Sequence, residues 1–166
     1  MDIISHAIWG VTFVRKKEFF WLAMFFGALP DLISTGIGSL YSFLKTGYFL
    51  KENWWLNLPI WSKHLYFLSH SIFGALILFF ILFLFKRKFL ILIIPYFLHI
   101  FIDLFTHRGD PIFRLFYPFI SYSTERVFGI NWWESSFVIL LNIILIVVIN
   151  LFIFLKNKIY GKIRES

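Results

Sequence analysis

The chain has 166 residues, of which 60% are hydrophobic, 24 are Phe and only 15% are charged, with a formal net charge of +7. A soluble domain of this size cannot hide so much apolar surface, because folded proteins present charged groups to water, and the composition reads as an integral membrane protein. Cysteine is absent, which excludes a disulfide framework and a thiolate metal site, so any metal must use His, Asp or Glu.

In chain order, hydrophobic periodicity predicts five helical segments: about Ile3–Val14, Glu18–Leu29, Trp61–Phe85, Phe89–Thr106 and Trp133–Leu155. The first two are too short to cross a bilayer alone at a rise of about 1.5 Å per residue. They read as a short N-terminal helical hairpin tucked into one half of the membrane or against the bundle. Asp2 opens the chain and the basic Arg15-Lys16-Lys17 cluster follows the apolar stretch, so a cleaved secretory signal is not expected. Trp61–Ser69 is a mixed interfacial lead-in to the apolar Ser71–Phe85, and Phe89–Phe105 is a second span carrying Pro95, His99 and Asp103. Ser135–Leu155 is a 21-residue stretch without charge, long enough for a hydrocarbon core of about 30 Å. The connections Asp31–Ile60 and His107–Trp132 combine Gly, Pro, Ser and Asn with aromatics, which suits loops at headgroup level. With no internal repeat and no low-complexity linker, residues 1–166 read as one domain. The expected fold is an all-α integral membrane bundle of about five helices, three of them long transmembrane spans.

The clusters Arg15–Lys17, Lys86–Lys88 and Lys156–Arg164 hold ten of the sixteen Lys and Arg. Alternate threading puts all three on one face, which the positive-inside rule assigns to the cytoplasm, together with the C-terminus. That face has only Glu18 and Glu165 as acids, while six basic residues and seven acids fall on the other. The charge is therefore a topology signal, with attraction for anionic lipid at the inner leaflet as its second effect. Nucleic acid is not an expected partner, because the basic clusters lie opposite the polar residues discussed next. The lipid bilayer is an expected partner, and the sequence names no protein partner.

His99, Asp103 and His107 are spaced four residues apart in an otherwise apolar run, so a helix places them on nearly one stripe. Ionisable residues at membrane depth are costly and usually have a functional partner, and imidazole and carboxylate are ligands for a zinc-like cation. His70 lies sixteen residues before Lys86 and Asp103 fifteen after Lys88, roughly 24 and 22 Å from the basic belt. His6, Asp31, His99 and His107 fall on the same side of the midplane or close to it, so residues from separate segments meet in one layer near the outer face. Other readings exist for each. His99 with Asp103 also fits a buried pair bracing two helices, and Asp31 also fits a helix end that caps the next segment. His107 also fits a cation at a helix C-terminus. His64 reads as an interfacial anchor, Asp110-Pro111 as a turn. Glu134 fits either a helix-dipole partner or a further carboxylate for the site.

The order of short motifs carries a resemblance. Ser5-His6, Gly27-Ala28-Leu29-Pro30-Asp31, Ser69-His70-Ser71, the His-x-x-x-Asp-x-x-x-His run from His99 to His107, and Tyr117-Pro118-Phe119 together resemble the YdjM-like predicted membrane-bound metal-dependent hydrolases. The likeness covers roughly residues 3–123. That family is distantly similar to the zinc phospholipases C and the single-strand zinc nucleases. The resemblance implies that Asp31, His70, His99 and Asp103 form the principal metal site. It implies too that His6 belongs to a neighbouring metal shared through Asp103, and His107 to another. The soluble enzymes complete their cluster with a further His-x-x-x-Asp or His-x-x-x-Glu helix, whereas the last helix here offers only Asn142 and Asn150. Ile33 replaces an expected Asp, and Lys63-His64 stands one residue out of step with a His-Arg. One or two ions, zinc by ligand type, are expected.

These readings converge on a metal-dependent hydrolase, with a metal-activated water attacking a phosphoester of a lipid or lipid-linked phosphate. Asp103 or Asp31 would orient that water and take its proton, and Arg108 and Arg114 would stabilise phosphoryl charge. The site would face the extracytoplasmic side of the inner membrane. The alternative is a non-enzymatic membrane protein, a metal or proton transporter or a scaffold, using the same His/Asp cluster.

Overall fold

The computed structural model describes residues 2–48, 54–106, 114–120 and 136–164. All their regular structure is helical: α1 (Ile3–Phe13), α2 (Phe20–Asp31), α3 (Ile37–Thr46), α4 (Trp54–Asn57), α5 (Ile60–Ser69), α6 (Ile72–Phe85), α7 (Ile93–Thr106) and α8 (Ser136–Arg164). Residues Met1–Asn131 form one compact unit and Trp132–Ser166 a second.

Asp2 starts α1 as its N-cap, with Oδ1 accepting from Ser5 N at 2.8 Å and Oδ2 from Ser5 Oγ at 2.7 Å. α1 packs on α2 and α7, and two glycines permit the close approach. A Cβ on Gly10 would strike the Ala23 carbonyl, and one on Gly27 would stand 2.5 Å from His6 O.

The second segment departs from expectation. It does not stop before Pro30; α2 runs through Pro30 and Asp31, continues as a π-helical turn over Leu32–Gly36, and passes into α3. With the 3-10 turn Lys17–Phe19 this makes a 30-residue apolar run, Lys17–Thr46, rather than half of a short hairpin. Proline lacks an N–H and ordinarily ends a helix. Here the neighbouring carbonyls find hydroxyl donors instead: Ser34 Oγ donates to Pro30 O at 2.6 Å, Ser69 Oγ to Pro30 O at 3.0 Å and Thr35 Oγ1 to Asp31 O at 3.1 Å. The run ends at Gly47, whose φ of 75° gives the left-handed cap that glycine accommodates.

The expected single span Trp61–Phe85 is two helices, α5 and α6, bent by 72° at His70-Ser71. Ser71 starts α6 as a side-chain N-cap, accepting from Gly74 N at 3.0 Å. α7 follows a 3-10 stretch over Arg87–Leu92. In the second unit α8 extends past Leu155 to Arg164, and Ser136–Lys156 is its apolar window. Three helical runs are thus long and apolar enough to cross a bilayer, or four if the bent pair counts as one span. Much of the expected loop Asp31–Ile60 is helical.

Three apolar clusters support the first unit. Val14, Phe19, Ala23, Leu82 and Leu92 pack near the basic clusters, Ala75, Tyr96 and Ile100 gather between α6 and α7, and Trp55, Leu58, Tyr66 and Phe67 gather around α5. Alongside these clusters, His6, His70, His99 and Asp103 are each no more than 1% exposed.

Candidate metal centre

Five side chains from four stretches of chain meet in one place: His6 from α1, Asp31 from the end of α2, His70 from the α5–α6 bend, and His99 and Asp103 one turn apart on α7. The backbone irregularities deliver two of them. The π turn that follows Asp31 and the break at His70 place both residues where regular α-helical geometry is interrupted.

The imidazole orientations follow from their outer nitrogens. His99 Nδ1 lies 2.7 Å from Gly27 O and His70 Nδ1 3.0 Å from Tyr66 O. Carbonyl oxygens only accept, so both Nδ1 atoms carry the proton and both Nε2 atoms point inward as lone pairs. Those two Nε2 atoms are 3.1 Å apart. Two facing lone pairs at that distance repel unless a cation, proton or metal, lies between them.

The carboxylates complete the set. Asp103 Oδ2 is 3.2 Å from His99 Nε2 and 3.6 Å from His70 Nε2, Asp31 Oδ1 is 3.3 Å from His70 Nε2, and Asp31 Oδ2 is 3.9 Å from His99 Nε2. Ligand atoms bound tetrahedrally at 2.0–2.2 Å stand about 3.3–3.6 Å from one another, and the separations among His70 Nε2, His99 Nε2 and Asp103 Oδ2, 3.1, 3.2 and 3.6 Å, lie near that edge. Two triads, His70–His99–Asp103 and His6–Asp31–His99, each hold their ligand atoms within 4.8 Å of one another. These buried His and Asp groups can hold a metal ion.

His6 occupies a distinct place. Its Nε2 lies 2.9 Å from Asp103 Oδ1, on the carboxylate oxygen turned away from His70 and His99. Its ring stacks on His99 with centroids 3.6 Å apart and planes at 19°. Asp103 thus bridges His6 and the facing imidazole pair. The Asp31 side chain, at 18% exposure, is the opening of an otherwise sealed centre, since the four partner side chains are at 0–1%.

The remaining expected site residues divide. His107 and Arg108 lie outside the described residues, as do Asp110 and Glu134. Arg114 is described but makes no ion pair among the described residues; its guanidinium carbon stands 4.2 Å over the Phe67 ring and its Nε is buried without a hydrogen-bond partner among them. Ile72 N donates to Leu115 O at 2.9 Å, which seats the segment bearing Arg114 against the start of α6, two residues past His70. His64 stays out of the cluster: it is exposed and its Nδ1 lies 2.8 Å from Tyr117 OH.

Sequence reasoning did not find the supporting groups. The Gly27 and Tyr66 carbonyls fix the two tautomers, and Ser69 Oγ sits 3.0 Å from His70 Nδ1. Tyr66 itself stacks on His70 with centroids 4.0 Å apart. Its position four residues before His70 on one helix is a signal that spacing alone offered.

Fold and site together define an all-helical protein with three bilayer-length apolar runs and a buried His/Asp centre competent to bind a cation. No protein-family model, no curated protein and no solved structure matches the chain.

Proposed function

We propose that the chain is an integral membrane, metal-dependent hydrolase that cleaves a phosphoester of a lipid or lipid-linked phosphate. The observation that carries this reading is the facing pair of His70 and His99 Nε2 atoms at 3.1 Å, with Asp103 Oδ2 at 3.2 and 3.6 Å from them and Asp31 Oδ1 at 3.3 Å from His70. The motif order shared with the YdjM-like hydrolases supports the same ligand set. Zinc suits imidazole and carboxylate ligands; His70, His99 and Asp103 would hold one ion, leaving its fourth position to water with Asp31 beside it. A second ion, between His6 and Asp103 Oδ1, is the arrangement that the resemblance implies.

A bound ion of this kind supplies Lewis acidity that lowers the pKa of water toward neutrality. The chain's own residues do the rest. Asp103, clamped by His6 on one oxygen, serves as a fixed ligand. Asp31 has one oxygen toward His70, the other farther from His99, and the only exposed edge, so it receives the proton of the attacking water. An oxygen–phosphorus bond forms, the ester phosphorus–oxygen bond breaks, and the proton held by Asp31 passes to the leaving oxygen. Arg114, its Nε unsatisfied among the described residues, would pair with a phosphoryl oxygen of the substrate. Arg108 follows the same stretch and is assigned the same work.

Membrane residence is supported by the bilayer-length runs and by an apolar outer surface on which Trp21, Leu44, Leu84 and Phe85 are each three-quarters or more exposed. Lys17 begins one run, Lys86 lies between two others and Lys156 ends the last, which favours a cytoplasmic basic face and a cytoplasmic C-terminus. Asp31 is fourteen residues beyond Lys17, roughly 21 Å along a helix, so the centre lies toward the extracytoplasmic leaflet. An apolar crevice of about 170 Å³ is lined in part by Leu29, Ser69 and Tyr96, which lie within three residues of Asp31, His70 and His99 in sequence. A crevice of that character fits an alkyl chain. Transport through the same cluster is disfavoured because α6 from Ile72 to Phe85 is wholly apolar and offers no relay across the other half.

Elemental analysis of the purified wild type beside His99→Ala and Asp103→Ala tests the reading, joined to phosphate release from a panel of lipid phosphoesters. Zinc near one or two per chain in the wild type, lost in both variants along with turnover, is expected. Equal metal in all three, or ion flux in vesicles with no phosphate release, would remove it.

A further inference from the structure

We infer that Tyr66 is a catalytic residue of this centre, its hydroxyl donating a hydrogen bond to a phosphoryl oxygen of the substrate. The inference rests on the hydrolase reading above. Tyr66 is 2% exposed, and its ring lies on the His70 ring at 4.0 Å with planes 27° apart. Trp55 closes the site around the same ring edge-on at 5.1 Å. The hydroxyl is buried and has no hydrogen-bond partner among the described residues.

The molecule supplies its own comparison. Tyr96 is as buried, and its hydroxyl donates to Ser69 O at 2.7 Å, which is how a phenol that serves only packing is satisfied. A buried donor left open beside a cation site is costly to the fold. Its bond would be made when an anionic substrate oxygen reaches the site, and it would strengthen as negative charge grows on that oxygen in the transition state.

The experiment compares zinc-loaded full-length wild type with Tyr66→Phe, measuring zinc content, the dissociation constant for inorganic phosphate by calorimetry, and kcat and KM on an aryl phosphate ester. Expected are equal zinc, phosphate binding weakened about tenfold, and kcat lowered by about 10²–10³ with KM changed far less. An active wild type with phosphate affinity and kcat unchanged in Tyr66→Phe overturns the assignment. So does loss of zinc in the variant, which would make Tyr66 a brace for His70. A zinc-loaded wild type that neither binds phosphate nor turns over overturns the hydrolase reading, and this inference with it.

Discussion

Stripping the cation from the folded protein separates a metal centre from a set of buried ion pairs. In the metal reading, His70 Nε2, His99 Nε2 and Asp103 Oδ2 grip one ion beside Asp31, and the unfolded chain offers no such set. Binding to the folded state alone stabilises by RT ln(1 + [L]/Kd), about 2.7 kcal/mol at a hundredfold excess over Kd. For a chain of this length that converts to a rise in Tm of roughly 5–11 °C. The assay is thermal unfolding of the detergent-solubilised protein after chelator dialysis, with and without added zinc. His99→Ala should show no zinc-dependent rise. It should also lose about 1–3 kcal/mol outright, because the Gly27 carbonyl is left without the 2.7 Å donor. A wild-type Tm indifferent to zinc, with His99→Ala destabilised by about 3–5 kcal/mol in either condition, would refute the reasoning. That pattern is what removing one partner of a buried ion pair produces.

Gly27→Ala places a Cβ 2.5 Å from His6 O, about 1 Å inside ordinary contact, so α1 must retreat and the 2.9 Å contact of His6 with Asp103 must open. The expected outcome is a loss of about 1–3 kcal/mol from overpacking and zinc affinity weaker by about 10–100-fold; undiminished affinity would show that His6 does not hold Asp103 for the ion. Zinc affinity should also fall as pH drops between about 8 and 5, since protons compete with the ion for imidazole nitrogen. A Kd that is flat over that interval, read with a competing metal dye, would exclude His70 and His99 as ligands.

The site residues were legible because their chemistry is conspicuous against an apolar background. Few residues in this chain are ionisable, and the spacing of His99 and Asp103 needs only an uninterrupted helix, which α7 provides. Asp31 and His70 entered the same layer from distance to the basic clusters, and the structure brings them to the same centre. The helix boundaries were less legible. Pro30 reads locally as a stop, and the donors that carry the chain through it, Ser34 and Ser69, include one that is 39 residues away in sequence. The bend at His70 has no proline to announce it. Its local signs are Ser71 acting as an N-cap and Gly74, where a Cβ would strike the Leu68 carbonyl across the bend, weak signals inside a run that hydropathy alone reads as continuous. Tyr66 was overlooked for a related reason: in a sequence so rich in aromatics, one ring at the right helical spacing does not stand out.

The breaks in the helices and the ligand layer coincide, and the coincidence has a physical basis. Irregular backbone deep in an apolar environment is tolerated only where protein groups satisfy the freed carbonyls. Here Ser34, Thr35, Ser62, Ser69 and Tyr96 give hydroxyls to the carbonyls of Pro30, Asp31, Ser34 and Ser69. That is a concentrated outlay of polar side chains in a chain with few of them. A cluster needed only to tie helices together could have been built from regular helices, with ligand-like pairs at i and i+4 as on α7. Regular geometry would have pointed the His70 side chain along α5 rather than across to His99. The irregularity aims the imidazole and carboxylate at one point, and the hydroxyls hold it there. Convergence on a point is the demand of a shared cation, whereas bracing requires only pairs. The serine variants make this testable within the same samples: Ser69→Ala should cost zinc affinity beyond its effect on Tm, because it removes one of the two hydroxyls on the Pro30 carbonyl and the hydroxyl beside His70 Nδ1.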